Sequence, residues 1–400
     1  MSNLAIEAAV TGSRRSRLHA FKRVLRRVES RVGEDPNAQR LSLSSAGYLY
    51  KRDGKSDRQQ ASTATEERSL RVGKDQLVVN PMWLTGGSIA VSDTEGAVSP
   101  DYRVFEPDKT RLDPRFLHHL LRSQPYRDQY DLFVRANTTF DRRIQQEDLD
   151  QLPLLLPKVV EQRRIADFLD DRVTRIDQII RARQRQSRLL HWALASEVAG
   201  LVASGGEGWL TGSLRRFAKS CDSLRVPLSS EERATRQGKY PYYGASGVID
   251  HVDDYLFDGP KVLVSEDGAN LLLRSTAIAF VADGQYWVNN HAHILEPFDG
   301  AHDFWAARIE ALDVSAWVTG SAQPKLTIDA TMALPVSAPA QVEARVALGK
   351  QAVDARTAVE KRTWALEKSC TLMFEYKKSL ITAAVTGELD VTTAGSGIPG

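Results

Sequence analysis

Three stretches of the sequence carry side chains of types that could do chemistry, and the spacing of each decides what it can do. Asn80-Pro81-Met82-Trp83 comes nearest to a catalytic loop. Adenine amino-group methyltransferases carry an Asn/Asp-Pro-Pro-aromatic loop that accepts the exocyclic amine and stacks on the flipped base. Here methionine interrupts that pattern, and no Phe-x-Gly-x-Gly or Gly-x-Gly-x-x-Gly stretch is present to hold a methyl donor. Gly47 to Ser56, GYLYKRDGKS, ends like a phosphate-binding loop, but six residues separate Gly47 from Gly54 where closure of backbone amides around a phosphate needs four. A loop with a turn is expected instead. His291 and His293 alternate on one face of an expected strand and could bind a metal. A third ligand is missing, which favours packing or contact with a base. Cys221 and Cys370 have no metal-ligand spacing and make no disulfide framework, as in a reducing compartment. No nucleophile elbow or supported Cys/His pair emerges, so the chain reads as a binding protein rather than an enzyme.

The elements that would position such residues are dominated by one stretch. Leu152 to Leu201 opens LPLLLPKVVEQRRIADFLDDRVTRIDQII, and between Pro157 and Gly200 nothing stops a helix. Its apolar residues (Ile165, Leu169, Val173, Ile176, Ile180, Leu190, Leu194, Val198, Leu201) fall three or four apart on a narrow stripe broken by Arg183 and Ser187. Such a stripe suits one partner helix rather than a surrounding core. The partner is expected near the C-terminus, where LPVSAPAQVEAR at 334–345 repeats LPLLLPKVVEQR at 152–163. In that match Pro153 pairs with Pro335, Pro157 with Pro339, Glu161 with Glu343 and Arg163 with Arg345. A second stripe follows (Val342, Val346, Val353, Val359, Leu366, Cys370, Met373, Leu380), drifting by about a residue from the first. The chain therefore reads as a tandem repeat of one globular unit followed by one long helix. AAVTG at 8–12 recurs at 383–387, which suggests a circular arrangement.

Between these helices the pattern is mixed α/β. Residues 13–34 are arginine-dense with a short stripe at Leu18, Phe21, Val24, Leu25 and Val28. Residues 51–68 are polar and aperiodic, hence a loop. QLVVN, GGSIAVS and YRVFEP predict strands, and Pro114–Arg122 and the region of Tyr126–Val134 predict helices. After Gly205–Gly208, a plausible linker, YPYYGASGVIDHV, DYLFDGPKVLVSEDG, TAIAFVADG and YWVNNHAHILEP predict short strands, with a helix at His302–Leu312. The expected domains are 1–12 as a segment completing the circular repeat, 13–157 and 205–339 as globular units, 158–204 and 340–390 as long helices, and 391–400 as a disordered tail.

The composition, 42% hydrophobic and 26% charged over 400 residues, is that of an ordinary soluble protein with room for two domains. No apolar run could cross a bilayer and no signal-peptide h-region is present, so a cytoplasmic location is expected. Net charge is +2, but residues 1–200 hold 34 Lys and Arg against 27 Asp and Glu, leaving 19 against 24 in the remainder. That distribution permits nucleic-acid binding without demanding it.

Taken together, LPLLLPKVVEQRRIADFLDDRVTRIDQII, ITAAVTGELDV at 381–391, QLVVNPMW with GAVSPDYRVF, and YYGASGVIDHVDDYLFDGPKVLVSEDG with YWVNNHAHIL and GSAQPKLT resemble the specificity subunit of type I restriction-modification enzymes over essentially the whole chain. Pro81 departs from the Asn-Lys-Met-Trp more usual there, and VEARVALGKQ is degenerate against the family's Arg-Ile-Ala-x-Phe-Leu helix. The resemblance implies two globular α/β target-recognition domains separated by two long antiparallel helices that form a coiled coil. It also implies no catalysis in this chain. Each domain would read one part of a split, asymmetric double-stranded DNA target, with the helices fixing the gap. Two methyltransferase subunits, carrying the S-adenosylmethionine, would bind, and nuclease-translocase subunits could join them. Base and phosphate readout needs amides, hydroxyls, Lys and Arg on loops. The candidates are Lys51, Arg52, Lys55, Arg58 and Trp83 in the first domain, and Tyr243, Ser246, Asn290, His291, Gln323 and Lys325 in the second. Arg163, Arg164 and Arg175 are candidates for partner contact, with surface salt bridges as their alternative. Two other functions compete: a coiled-coil scaffold that binds only proteins, and an adenine methyltransferase acting alone.

Overall fold

The computed structural model describes residues 17–33, 38–52, 67–134, 143–203, 205, 207–320 and 323–394. The expectations for residues 1–12, for Lys55 and Arg58, and for the last six residues of the tail lie outside the described residues. The chain divides into two compact units: residues 1–182 with 369–400, and residues 183–368.

Both units are built on the same frame. In the first, the strand Arg17–Ala20 pairs antiparallel with Pro153–Leu156, Arg17 facing Leu156. In the second, Trp209–Ser213 pairs in the same sense with Pro335–Pro339, Trp209 facing Pro339. A 3-10 turn follows each opening strand, at Phe21–Arg23 and Leu214–Arg216. Its first N–H donates to the carbonyl of the leucine before the closing strand, Phe21 to Leu152 at 2.9 Å and Leu214 to Leu334 at 3.0 Å. The LP…P repeats are thus edge pairings that deliver the chain into a long helix. Proline fits there because a two-stranded pairing leaves half of the N–H groups without a ladder partner.

The frame continues into a four-stranded antiparallel sheet. Its order in the first unit is Leu25–Val28, Arg103–Pro107, Leu77–Val79, Ile89–Val91. In the second unit it is Ala218–Ser220, Ala292–Pro297, Lys261–Ser265, Ala279–Ala282. In chain order this is first, fourth, second, third in both cases. A helix packs on each sheet, Pro114–Arg122 and His302–Glu310, at the places the sequence predicts. Pro at the first helical position and Asp113, which accepts from Arg115 N and Phe116 N, set the first helix's start. Phe21, Phe105, Phe116 and Leu120 fill one core; Phe217, Val264, Phe304 and Trp305 fill the other. Each such fully buried side chain contributes about 1.5–3 kcal/mol.

What differs between the units is inserted into this frame. Between the first and second sheet strands, the first unit carries the hairpin Leu41–Leu43/Leu49–Lys51 and the strand Leu70–Val72, which pairs with Gly96–Val98. The sequence reading missed these short strands. At the same point the second unit carries the hairpin Gln237–Gly244/Gly247–Val252, extended by Gln285–Val288 and Phe257–Asp258 into a second sheet.

The long helices run Val159–Ala203 and Val342–Thr386, 45 residues each. Within the first unit they are antiparallel: Lys377 Nζ bridges Asp177 at 2.7 Å, and Cys370 lies against Ile180. Two expectations need correction. The opening turns of the first helix do not face a single partner helix. Ile165, Ala166 and Leu169 belong to the domain core, and Arg115 reaches Asp167 and Asp170 from the helix that covers the sheet. In the second stripe Val342, Val346 and Val353 are exposed, and Arg345, Gly349 and Ala352 are buried in their stead. The inner face there is one residue out of register with the apolar pattern.

That shift has a polar cause. In the first unit Gln162, fully buried, accepts from Asp113 N at 2.8 Å and donates to Arg111 O and Pro157 O. In the second unit the anchor is Arg345, which donates to Pro339 O at 2.6 Å and pairs with Asp299. Arg163, the sequence counterpart of Arg345, is exposed, with Asp113 at 3.8 Å.

Candidate nucleic-acid interface

The loop after the second sheet strand is the same place in both frames; in the first unit it carries Trp83, and in the second its residues Glu266 and Asp267 contact the candidates Lys325 and His291. In the first unit it is the turn Asn80–Gly87. Asn80 Oδ1 accepts from Met82 N at 3.1 Å, and Pro81 is buried with its carbonyl taking Ile144 N. The Asn-Pro pair is therefore spent on shaping a turn. Trp83 projects from it, 57% exposed. The neighbouring hairpin ends in Lys51, exposed, and Arg52, whose N–H donates to Arg40 O at 3.0 Å.

One buried cation joins these two loops. Arg122, the last residue of its helix, donates to Gly87 O at 2.7 Å and Ile89 O at 3.1 Å on one side, and to Ala46 O at 2.7 Å on the other. Burial pushes its guanidinium down to about 10, with Arg127 adding to the effect. Gly47 sits at φ +86°, where any L side chain is strained, and a Cβ there would lie 2.0 Å from the Arg122 guanidinium and push it aside. Of GYLYKRDGKS, the described residues 47–52 form a glycine turn held by Arg122 and the strand Leu49–Lys51.

In the second unit the equivalent loop opens with Ser265-Glu266-Asp267-Gly268, and it gathers most of the other candidates. His291 Nδ1 lies 2.9 Å from Asp267, and His291 O accepts from Glu266 N. Asn290 is exposed on the same turn, which Asn289 Oδ1 holds by accepting His291 N at 2.8 Å. Lys325 Nζ reaches Glu266 Oε1 at 2.9 Å, Gly268 N donates to Pro324 O, and Gln323 is exposed two residues before Lys325. Ser246 sits exposed in the hairpin turn, whose Ala245 carbonyl accepts from Ser265 Oγ. Tyr243 is different: its ring packs on Phe280 and Tyr286 as part of the core beneath the loops.

A polar network not legible from local pattern supports this cluster. Arg225 donates to Glu266 at 2.9 Å and to Ala292 O at 2.7 Å, and pairs with Asp222. Asp222 meets His293 Nδ1 at 2.6 Å, and His293 Nε2 lies 2.8 Å from Leu326 O. Burial alone would raise the Glu266 carboxyl, but Lys325 and Arg225 outweigh it and hold the group below the usual range. Asp222 is depressed in the same way, with burial opposed chiefly by His293 and the Ile294 N–H. His291 and His293 do not act as a pair: His291 lies against Asp267 and His293 against Asp222. Among the described residues, no group of three or more His, Cys, Asp or Glu is placed to hold a metal ion. No described helix is long and apolar enough to cross a membrane.

On the long helix, Arg163 and Arg164 are exposed, and Arg175 is tied to Asp171 at 2.8 Å four residues before it. Residues missed by sequence reading are Tyr48 and Tyr50, Arg122, Asp222, Arg225 and Glu266. Only the Tyr-Leu-Tyr alternation of the first two was a usable signal.

Residues 207–369 match the family model of the Type I restriction modification DNA specificity domain. The resemblance to type I specificity subunits is borne out. The match falls almost wholly within the second unit. A Haemophilus influenzae protein assigned as a type I restriction enzyme specificity subunit is 29% identical over 127 residues. The alignment spans about a third of each chain, 32% of this one and 32% of the relative. A chain from a solved structure on complex assembly and conformational transition of the type I R-M system shares the fold. It superposes with a TM-score of 0.71 at 14% identity, over 94% of this chain and 99% of the other.

Proposed function

We propose that the chain is the DNA-reading, non-catalytic specificity subunit of a type I restriction-modification complex. Each unit reads one part of a split, asymmetric duplex target. The long helices set the gap and hold two methyltransferase subunits, to which nuclease-translocase subunits can add. S-adenosylmethionine belongs to the methyltransferases. In this reading the chain's residues bind and orient DNA, and the methyl transfer is the partners' chemistry.

The observation that carries this reading is a duplicated frame with unduplicated inserts. Strand order, 3-10 turn, covering helix and closing strand recur in both units, whereas the loops bearing candidate contacts share neither sequence nor fold. Two equivalent platforms with unlike loops are what reading two different half-sites requires. The specificity-domain match over 207–369 supports the same conclusion. Arg163 and Arg164, exposed near the start of the first long helix, remain the proposed partner contacts.

The test is co-expression with the neighbouring methyltransferase and mapping of methylated adenines across a genome. The expected result is two unlike short blocks separated by a constant gap. A contiguous palindrome, or no motif, overturns the proposal. A purely protein-binding scaffold would give no sequence-selective, salt-sensitive retardation of duplex DNA when the partners are supplied, and a solitary methyltransferase would modify DNA without them.

A further inference from the structure

Tyr48, directly before the strand Leu49–Lys51, and Tyr50 within it flank buried Leu49, and their rings are 57% and 48% exposed with centroids 6.1 Å apart. Trp83, also mostly exposed, stands on the adjacent turn. Neither loop is loosely attached. Arg122 donates to carbonyls of both, and Gly87 approaches Ser45 so closely that a Cβ on it would come within 2.9 Å of the Ser45 carbonyl. These three large exposed rings stand outside the described hydrophobic core of the unit.

The charge around them narrows the occupant. Residues 38–52 hold Arg40, Lys51 and Arg52 and no acid, and residues 80–92 hold no charged side chain at all. A protein partner would be met equally well by mixed charge. An exposed lysine, Lys51, beside exposed aromatics fits a polyanion with flat faces. An intact duplex hides its base faces, so rings aimed at DNA find purchase where a step is opened or kinked.

Resting on the proposed DNA-reading role, we propose that Tyr48, Tyr50 and Trp83 form an aromatic edge that stacks against an unstacked base step in the part of the target read by the first unit. Lys51 and Arg52 hold the flanking phosphates. The edge is a specificity-determining surface: it favours a flexible pyrimidine–purine step, which opens at least cost.

The test uses the chain co-purified with its methyltransferase partner. Trp83→Ala and the pair Tyr48→Ala/Tyr50→Ala should each weaken binding of the mapped target by roughly 5- to 150-fold, the range for a lost base–aromatic stack, with the slope of log affinity against log salt unchanged. Lys51→Ala should lower that slope by about one. Trp83→Phe, which keeps a ring, should restore most of the affinity. In methylation maps the alanine variants should relax the block read by the first unit and leave the other block and the gap intact. Wild-type selective binding with unchanged variants overturns the aromatic edge and leaves the parent reading standing. Equal loss in Trp83→Phe and Trp83→Ala, or a changed salt slope in the ring variants, also overturns the edge. Absence of selective binding by the wild type overturns both.

Discussion

Replacing Arg345 by methionine removes the anchor that ties the second long helix to its domain, and the cost can be worked from the contacts. The guanidinium is 7% exposed and its partner Asp299 is 9% exposed. Arg345 also donates to Pro339 O and Ala340 O and lies over the rings of Phe217 and Trp305. Removing one partner of a buried ion pair leaves the other charge uncompensated and costs about 3–5 kcal/mol, a large part of a typical domain's 5–15 kcal/mol. Asp299 keeps Trp305 Nε1 and Ala301 N as neutral donors, which favours the lower half of that range. The pH dependence follows from the carboxylate. Burial raises Asp299, but the Ala301 N–H, Trp305 and Arg345 together hold it below 3.8. Its contribution is therefore present in full above that value and is lost as pH falls through the lower folded-state value. Without Arg345 the folded-state value rises, so the gap between wild type and variant is widest near neutrality and closes on acidification. Urea denaturation of the full chain, with hydrogen exchange followed on residues 302–310, measures this. The double variant Arg345→Met/Asp299→Asn should recover about half of the loss or more. A single variant within about 1 kcal/mol of wild type at pH 7, or a gap that does not narrow as pH falls below 3.8, would refute the reasoning.

Arg163→Ala, at the sequence position matching Arg345, should change stability by less than about 0.5 kcal/mol, because its guanidinium is exposed. Gln162→Ala should cost about 2–4 kcal/mol, since it strands the Asp113 N–H and two carbonyls away from water; denaturation curves of the two variants give the comparison. Gly349→Ala separates helix propensity from packing. Propensity alone predicts a gain of about 1 kcal/mol, whereas a Cβ there would lie 2.6 Å from the Phe304 backbone nitrogen, so thermal denaturation should show a net loss. Gly47→Val should displace Arg122 and release the Trp83 turn, read as faster hydrogen exchange at residues 86–89 and weakened DNA binding.

Local pattern settled a good deal about this protein. Proline-free stripes gave both long helices, Asp113-Pro114 gave the start of a covering helix, and the LP…P repeats gave the duplication. Each is a signal carried by residues close together in sequence. Motif spacing also argued against a phosphate loop and against Asn80-Pro81 as a catalytic pair. Tertiary structure decided which residues those repeats use. Arg163 and Arg345 align, yet Gln162 anchors one helix and Arg345 the other, because Asp299 offers a buried carboxylate to a cation whereas Asp113 N–H asks for an acceptor. The apolar stripe of the second helix was misread for the same reason: a buried ion pair and Gly349 occupy the inner face where valines were expected. Arg122 and Arg225 were unreadable in the sequence because their meaning lies in carbonyls and carboxylates tens of residues away. The joining of the turns that bear Tyr48 and Trp83 is likewise a property of the folded unit, created when the Arg122 guanidinium satisfies the backbone of both at once.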